Sequence, residues 1–227
     1  MDAMELGKNQ ALFGRKRASL MPQLIGIVGG SCAGKSWLAE HLENALAGLA
    51  GRLSLDDFYQ DRSHLSPARR ARINFDHPRS IDWVTFKSVL RRCAGGRKTL
   101  IPQYDFETHS RRPMPRAFKP APLILCEGLW LFRNASLRRL FALKIFIQSP
   151  LNLCKRRRLD RDLAERGRAI GEIEERFDTM VAPMNQRFVT PQERWADVVL
   201  REAPTVQTVE ALAGRLRELL NPPRIIL

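Results

Sequence analysis

A short apolar run that leads into a glycine-rich loop decides the fold of this chain. Residues 24–28 read Leu-Ile-Gly-Ile-Val and continue directly into Gly29-Gly30-Ser31-Cys32-Ala33-Gly34-Lys35-Ser36. This G-x-x-x-x-G-K-S spacing between a strand and a helix is typical of a loop whose backbone N–H groups surround phosphates. Lys35 would reach the β- and γ-phosphates, and the Ser36 hydroxyl would bind Mg²⁺. All eight loop residues are therefore predicted to hold a nucleoside triphosphate, and an incidental glycine-rich turn is the alternative.

The length of 227 residues suits one α/β domain. We predict that this domain spans residues 22–227 and that residues 1–21, which lack periodicity, form a mobile extension. The 38 lysines and arginines outnumber the 24 acidic residues and give a net charge of +14, which favours anionic partners. The basic residues are dispersed rather than gathered in one stripe, so nucleic acid is not the expected partner.

The cysteines and the apolar segments bear on the cellular environment. The four cysteines show neither metal-ligand spacing nor a disulfide framework, which fits a reducing, cytoplasmic environment. No apolar run reaches the length of a membrane span, and the first ten residues lack the hydrophobic segment of a signal peptide. We therefore expect no membrane partner.

Apolar segments separated by helical patterns predict a parallel sheet of about five strands with helices on both faces. Besides 24–28, the predicted strands are residues 52–55, 123–126, 143–147 and 196–200. The predicted helices are residues 35–49, 82–94, 134–141, 150–165, 170–185 and 205–220. Trp37 fits the apolar spacing of the first helix. Between the second and third strands lies a long insertion, about residues 56–122, in which residues 99–119 read as a small hairpin.

Two adjacent acids follow the second predicted strand, in the run Asp56-Asp57-Phe58-Tyr59. The carboxyl ends of parallel strands are where α/β folds bind ligands, so a carboxylate here is placed to take a proton from an attacking hydroxyl. A solvated turn is the alternative, because aspartates are common in turns. Further polar and aromatic segments in the insertion favour the chemical interpretation.

Those segments are Asn-Phe-Asp-His-Pro at 74–78 and Tyr-Asp-Phe-Glu-Thr-His-Ser-Arg at 104–111. With Glu127-Gly128 and Arg-Asp-Leu-Ala-Glu-Arg-Gly-Arg at 161–168, they make the chain resemble the uridine kinase (uridine–cytidine kinase) family over about residues 22–202. The resemblance implies a three-layer P-loop kinase fold with a β-hairpin insertion that binds substrate and an arginine-rich helical lid over about residues 155–176. It also implies phosphorylation of the 5′-hydroxyl of a pyrimidine ribonucleoside by ATP with Mg²⁺.

The resemblance further implies a role for each matching residue. Asp56 corresponds to the general base, and Asp76 to the carboxylate that binds the ribose hydroxyls. Lys35 and Arg161 complete the implied catalytic set. The remaining implied contacts to the nucleoside come from Tyr59, Phe75, Tyr104, Phe106, His109 and Arg158.

The segment from Lys155 to Arg168 carries seven positive and three acidic residues. An exposed helix with i,i+4 pairs such as Arg158–Asp162 is one interpretation, and a lid over phosphates is the other. By resemblance, Arg161, Arg166 and Arg168 would line the triphosphate. Glu127 would hold Mg²⁺ together with Ser36.

Two other functions stay open on the sequence. A kinase of another small acceptor, such as a sugar phosphate or another riboside, shares this kind of scaffold. A nucleotide-gated RNA-binding protein would use the basic surface, although the chain has no D-x-x-G motif for a GTPase switch. The resemblance also allows a homo-oligomer.

Overall fold

A five-stranded parallel sheet forms the centre of the computed structural model, which describes residues 21–167 and 169–220. The side chains at 71, 165 and 166 lie outside that description. The predicted N-terminal extension also falls outside it, except for Met21. In chain order the strands are β1 (Gln23–Gly29), β2 (Ala50–Ser54), β3 (Thr99–Ile101), β4 (Tyr104–Asp105), β5 (Ser110–Arg111), β6 (Arg116–Phe118), β7 (Leu123–Gly128), β8 (Phe141–Ile147) and β9 (Val198–Leu200). The central sheet has the order β2-β7-β1-β8-β9, with all neighbours parallel.

Helices cover both faces of this sheet. They are α1 (Lys35–Ala45), α2 (Pro67–Ala71), α3 (Trp83–Ala94), α4 (Ala135–Arg138), α5 (Leu151–Arg166), α6 (Ile170–Arg176), α7 (Ala182–Met184) and α8 (Val206–Leu220). Side chains in β1 alternate between two hydrophobic cores, because successive residues of a strand point to opposite faces. Ile25 and Ile27 pack with α1 and α8, whereas Leu24 and Val28 pack with α3 and the segment after β7. The predicted three-layer α/β fold is thereby confirmed.

One glycine in β1 shows how closely the layers approach. A Cβ atom on Gly26 would lie 2.5 Å from a ring carbon of Phe132. Only a residue without a side chain lets that buried aromatic ring rest on the strand. At this position Phe132 therefore packs directly against the backbone of β1.

The insertion contains the predicted hairpin in nested form. Strands β3 and β6 pair antiparallel, and β4 and β5 pair antiparallel between them. The structure adds the short helix α2, which the sequence analysis did not predict. The Ser66-Pro67 pair at its start was the available signal, because proline is favoured in the first turn of a helix.

Several predicted boundaries were wrong for identifiable reasons. Strand β2 ends at Ser54 rather than 55, because the Ser54 hydroxyl accepts a hydrogen bond from the backbone N–H of Asp56 and turns the chain into a 3₁₀ helix. Helix α1 ends at Ala45 rather than 49, and Gly48 follows with a φ of +79°.

The predicted helix 170–185 is not a single α-helix. After α6 it continues through a π turn at Phe177–Val181, helix α7, a second π turn at Asn185–Val189 and a 3₁₀ segment to Trp195. Pro183 lacks the N–H that an α-helix needs at this point, and wider turns accommodate that loss. Within the described part of the chain, we find no helix with the length and apolar character of a membrane span.

Candidate active site

A cavity of about 540 Å³ lies at the carboxyl edge of the sheet, between the phosphate loop, the insertion and α5. Most of the predicted site residues line it. They are Ser31, Cys32, Gly34, Lys35, Ser36, Asp56, Tyr59, Phe75, Asp76, Tyr104, Phe106, His109, Glu127, Arg158 and Arg161. The fold therefore gathers residues that are up to about 130 positions apart into one place.

The phosphate loop connects β1 to α1 and curls around its own backbone. Gly34, directly before α1, has a φ of +101°, a conformation that glycine adopts without strain. The Lys35 ammonium donates to the carbonyl of Gly30 at 2.8 Å, so it lies across the loop. Three loop residues predicted to bind nucleotide do not line the cavity. Gly29 is the last residue of β1, Gly30 lines a neighbouring cavity, and Ala33 is fully buried.

Ser54 links the two acidic positions of the site. It lies beside Glu127 in the register of β2 and β7, and its hydroxyl donates to Glu127 Oε1. The same hydroxyl accepts from the backbone N–H of Asp56 at 3.3 Å. The sequence analysis gave Ser54 no role, because the contact joins residues 73 positions apart.

Glu127 is a buried carboxylate next to another acid. It lies within β7 and not after the strand as predicted. Burial raises the pKa of Glu127, and the negative charge of Asp56 raises it further, while Lys35 acts in the opposite direction. A cation bound beside Glu127 would offset this repulsion from Asp56.

An aromatic cluster, formed by Tyr59, Phe75, Tyr104, Phe106 and His109, lines the end of the cavity within the insertion. The Phe75 and His109 rings stack at 4.5 Å with a 9° angle, and the Tyr59 and Tyr104 rings lie 5.0 Å apart. Burial raises the pKa of Tyr104, so its phenol stays neutral and able to donate. Among the described residues the Tyr104 hydroxyl is buried without a hydrogen-bond partner. A polar ligand atom would satisfy it.

Arg111 holds the hairpin onto the rest of the site. Its guanidinium donates to the carbonyl of Tyr59 at 2.9 Å and pairs with Asp82 at 3.1 Å. Asp82 also caps α3 by accepting from the backbone N–H of Thr85 at 3.0 Å. The last residue of the 104–111 motif therefore ties the hairpin to the preceding part of the insertion, a contact that the sequence motif alone does not reveal.

Helix α5 contributes two arginines that a buried acid orients. Arg158 Nη1 lies 3.3 Å from Asp76 Oδ1 and 3.2 Å from the Ser31 hydroxyl. Asp162 is fully buried, accepts two hydrogen bonds from Arg161 at 2.9 and 2.7 Å, and lies 3.6 Å from Arg158 Nε. The i,i+4 pair Arg158–Asp162 thus exists, but it is buried in the site instead of lying on an exposed helix surface.

The cavity has further lining residues to which the sequence analysis gave no contact of their own. Arg157 donates to the carbonyl of Cys32 at 3.4 Å, and Trp37 follows Ser36 on α1. Arg176 and Pro204 also line the cavity. Two predicted phosphate contacts are not described: the Arg166 side chain and residue Arg168 lie outside the described part of the chain.

Residues 24–209 match the family described as "Phosphoribulokinase / Uridine kinase family". A protein named uridine kinase from Tolumonas auensis is 34% identical over 203 residues, which cover 87% of this chain and 95% of that protein. Another uridine kinase, from Chloroflexus aggregans, is 38% identical over 179 residues, covering 78% and 86%.

The fold of this chain is also found in a solved structure. Phosphoribulokinase from Rhodobacter spheroides superposes with a TM-score of 0.58 at 17% identity, and the match covers 80% of this chain and 70% of that one. At this identity the likeness shows the fold alone.

Proposed function

Because the chain belongs to the phosphoribulokinase and uridine kinase family, we propose that it transfers the γ-phosphate of ATP to the 5′-hydroxyl of a pyrimidine ribonucleoside, uridine above all. Both activities in the family name are phosphoryl transfers to a hydroxyl group, so the chain is a kinase. The observation that carries the choice of acceptor is the aromatic cluster, which shares one cavity with the phosphate loop and Asp56. The relatives named uridine kinase support the same choice.

In the proposed reaction, Asp56 accepts the proton of the nucleoside 5′-hydroxyl as its oxygen attacks the γ-phosphorus. The bond from the γ-phosphorus to the bridging oxygen of ADP breaks, and ADP leaves. Charge that builds on the transferred group is offset by Lys35 and Arg161, which line the same cavity. Positioning supplies most of the acceleration in such a transfer, because little covalent chemistry is left to the protein.

The residues at the site fit a magnesium ion. Ser36 and Glu127 offer oxygen ligands in one cavity, and a cation beside Glu127 would offset the charge repulsion from Asp56. In the described ranges, 21–167 and 169–220, no three His, Cys, Asp or Glu side chains cluster as a metal cage. Mg²⁺ suits that arrangement, since it usually takes one or two protein oxygens and keeps water and phosphate ligands. When bound, it would neutralise phosphate charge.

Recognition of the acceptor is proposed for the insertion. Asp76 would accept hydrogen bonds from the ribose hydroxyls while Arg158 holds that carboxylate in place. The pyrimidine would lie against the aromatic cluster, with the Tyr104 hydroxyl on a polar edge of the base. A sugar phosphate gives those rings no flat partner, which favours a nucleoside over that alternative.

Initial rates of ADP release test the proposal directly. Purified protein with ATP and Mg²⁺ is given uridine, cytidine, adenosine or ribulose 5-phosphate, and ATP turnover without acceptor is the blank. We expect uridine to give the highest kcat/KM and ribulose 5-phosphate to stay at the blank. A higher kcat/KM for ribulose 5-phosphate than for uridine would overturn the assignment of the acceptor.

A further inference from the structure

Trp37 has a large aromatic side chain that is not buried in the core. It is 36% exposed, although it sits in the first turn of α1 directly after the loop residues Lys35 and Ser36. One face of its ring stacks on His41, with ring centroids 3.9 Å apart. The side chain also lines the cavity that holds the phosphate loop. An exposed indole at a polar site is a surface suited to a flat ligand.

Trp37 directly follows the phosphate loop in the chain and is not one of the residues of the aromatic cluster. Ala203 and Pro204 line the same cavity, and a Pro204 ring carbon lies 3.1 Å from the position that a Cβ on Gly34 would take. Among the described residues, the ring contacts that link the aromatic cluster do not include Trp37. The cavity therefore has a second aromatic surface, separate from the one proposed for the acceptor.

The shape of a nucleoside triphosphate determines which part of the phosphate donor the aromatic surface at Trp37 faces. With the β-phosphate in the loop, the γ-phosphate must point towards Asp56 and the acceptor. The nucleoside of the donor then leaves the loop on another side, because the aromatic cluster is taken by the acceptor. The lining residues that remain beside the loop include Trp37, Pro204 and Arg157.

We propose that Trp37 is the stacking platform for the nucleobase of the phosphate donor. The inference rests on the proposed function for the position of the acceptor, and it assigns the base-binding surface that the phosphate-loop motif leaves undefined. Stacking on an aromatic side chain contributes to binding for any base, because every base has a π face. Trp37 would thus add affinity for the base without touching the phosphates.

Calorimetric titration with two probes tests this inference. MgATP carries a base, whereas inorganic tripolyphosphate carries only the phosphates. We expect Trp37→Ala to weaken MgATP binding about tenfold. The same change should leave the dissociation constant of tripolyphosphate within about twofold of wild type, because no base is present to lose its stack. Trp37→Phe keeps an aromatic face and should retain most of the MgATP affinity.

Leu49→Ala provides a matched control. Leu49 is 37% exposed and lies between α1 and β2, and it does not line the cavity, so its removal should leave both dissociation constants unchanged. Melting temperatures of all variants establish that they fold. If Trp37→Phe also folds and binds MgATP as weakly as Trp37→Ala, stacking is not the cause and the inference fails.

Two further outcomes would overturn it. An equal loss of affinity for both probes would mean that Trp37 supports the loop and not the base. No loss for either probe would place the base elsewhere. Both titrations are done without acceptor, so a failure to phosphorylate uridine would count against the proposed function and leave this test intact.

Discussion

The two ends of the cavity are built from different parts of the chain. The phosphate loop is a direct continuation of β1 in the middle of the sheet, and its shape depends on backbone conformation at positions such as Gly34. The acceptor end belongs to the insertion, where rings pack on one another and Arg111 ties the hairpin to Tyr59 and Asp82 earlier in the insertion. The phosphate-loop end is thus part of the core sheet, and the acceptor end is held together by side-chain contacts.

This difference separates what the fold requires from what selects the acceptor. Changes at the loop disturb the sheet that carries it, because β1 is paired on both sides. Changes in the aromatic cluster should alter acceptor binding and leave nucleotide binding in place.

The largest loss of activity is expected from substituting Asp56, which lies between the two ends of the cavity. Asp56→Asn should lower kcat for uridine by roughly 10²–10⁴-fold, because the amide cannot take the proton of the attacking hydroxyl. MgATP affinity and melting temperature should stay near wild type. Steady-state rates and a thermal melt check both parts, and a kcat close to that of wild type would refute the assignment of the base.

The adjacent acid is the matched control for that variant. Asp57 pairs with Arg116 at 3.8 Å and does not line the cavity. Asp57→Asn should therefore change kcat by less than about fivefold. A loss as large as that of Asp56→Asn would mean that the two carboxylates act as a unit.

The second prediction concerns the contact that joins the two ends. Asp162 orients Arg161 towards the cavity and lies beside Arg158, which reaches both Ser31 in the loop and Asp76 in the insertion. Asp162→Asn should lower kcat/KM by roughly 10- to 100-fold, since misplaced arginines no longer match the transferring phosphate. It should also destabilise the fold by roughly 1–3 kcal/mol, because charged hydrogen bonds are lost.

Asp160 on the same helix gives the comparison for Asp162. Its side chain is exposed, so Asp160→Asn should leave rate and stability unchanged. To separate positioning from simple loss of stability, rates are measured well below both melting temperatures, over a range of uridine concentrations and at saturating MgATP. If Asp162→Asn then matches Asp160→Asn in kcat and kcat/KM, Asp162 has no positioning role.

The sequence predicts the phosphate-loop end of the cavity better than it predicts the elements and contacts that support the cavity. Residues 24–36 form one continuous pattern, so the strand, the loop and the helix are all local in the chain. The five strands of the sheet are confirmed, with shifted ends, because their apolar runs are bounded by polar turns. The π turns around Pro183 were not predictable from periodicity, which indicates a helix without specifying the type of its turns.

Residues that act through distant contacts were missed. Ser54 comes to lie beside Glu127 only when β2 pairs with β7. From the sequence, Asp162 is interpreted as a solvated acid among arginines, and only the position of α5 beside the cavity shows that it is buried. Trp37 fits the apolar spacing of α1 and therefore reads as core, although its ring lies partly in solvent. The predicted acceptor residues depended on the family resemblance, and the structure brings them together in one cavity.

The third prediction tests the acceptor end alone. Tyr104→Phe should raise the KM for uridine by about 2- to 10-fold, the cost of one neutral hydrogen bond, and leave MgATP affinity unchanged. Stability should not fall, because within the described residues the hydroxyl has no partner to lose. A variant that is less stable but keeps the wild-type KM would show that the hydroxyl serves the fold and not the ligand.

The smallest expected effect is a gain in stability when Glu127, in β7, is replaced. Its pKa is raised by burial and then by Asp56, so the folded protein holds this proton more tightly than the unfolded chain does. Stability is therefore lost as the pH rises from the unfolded pKa through the folded one, and the charged form is a net cost at neutral pH. Glu127→Gln imitates the protonated acid and should melt at a higher temperature than wild type at about pH 7.

The same substitution should lower activity, because it removes the charge proposed to hold Mg²⁺. Melting curves of both proteins from about pH 4 to pH 7 check the sign: the two should converge at the acid end, where both side chains are neutral. A variant that is less stable than wild type at neutral pH would mean that Ser54 and Lys35 stabilise the carboxylate more than burial disfavours it. The Glu127 carboxylate would then stabilise the sheet. In that case the cavity would not divide into a loop end set by the fold and an acceptor end set by function.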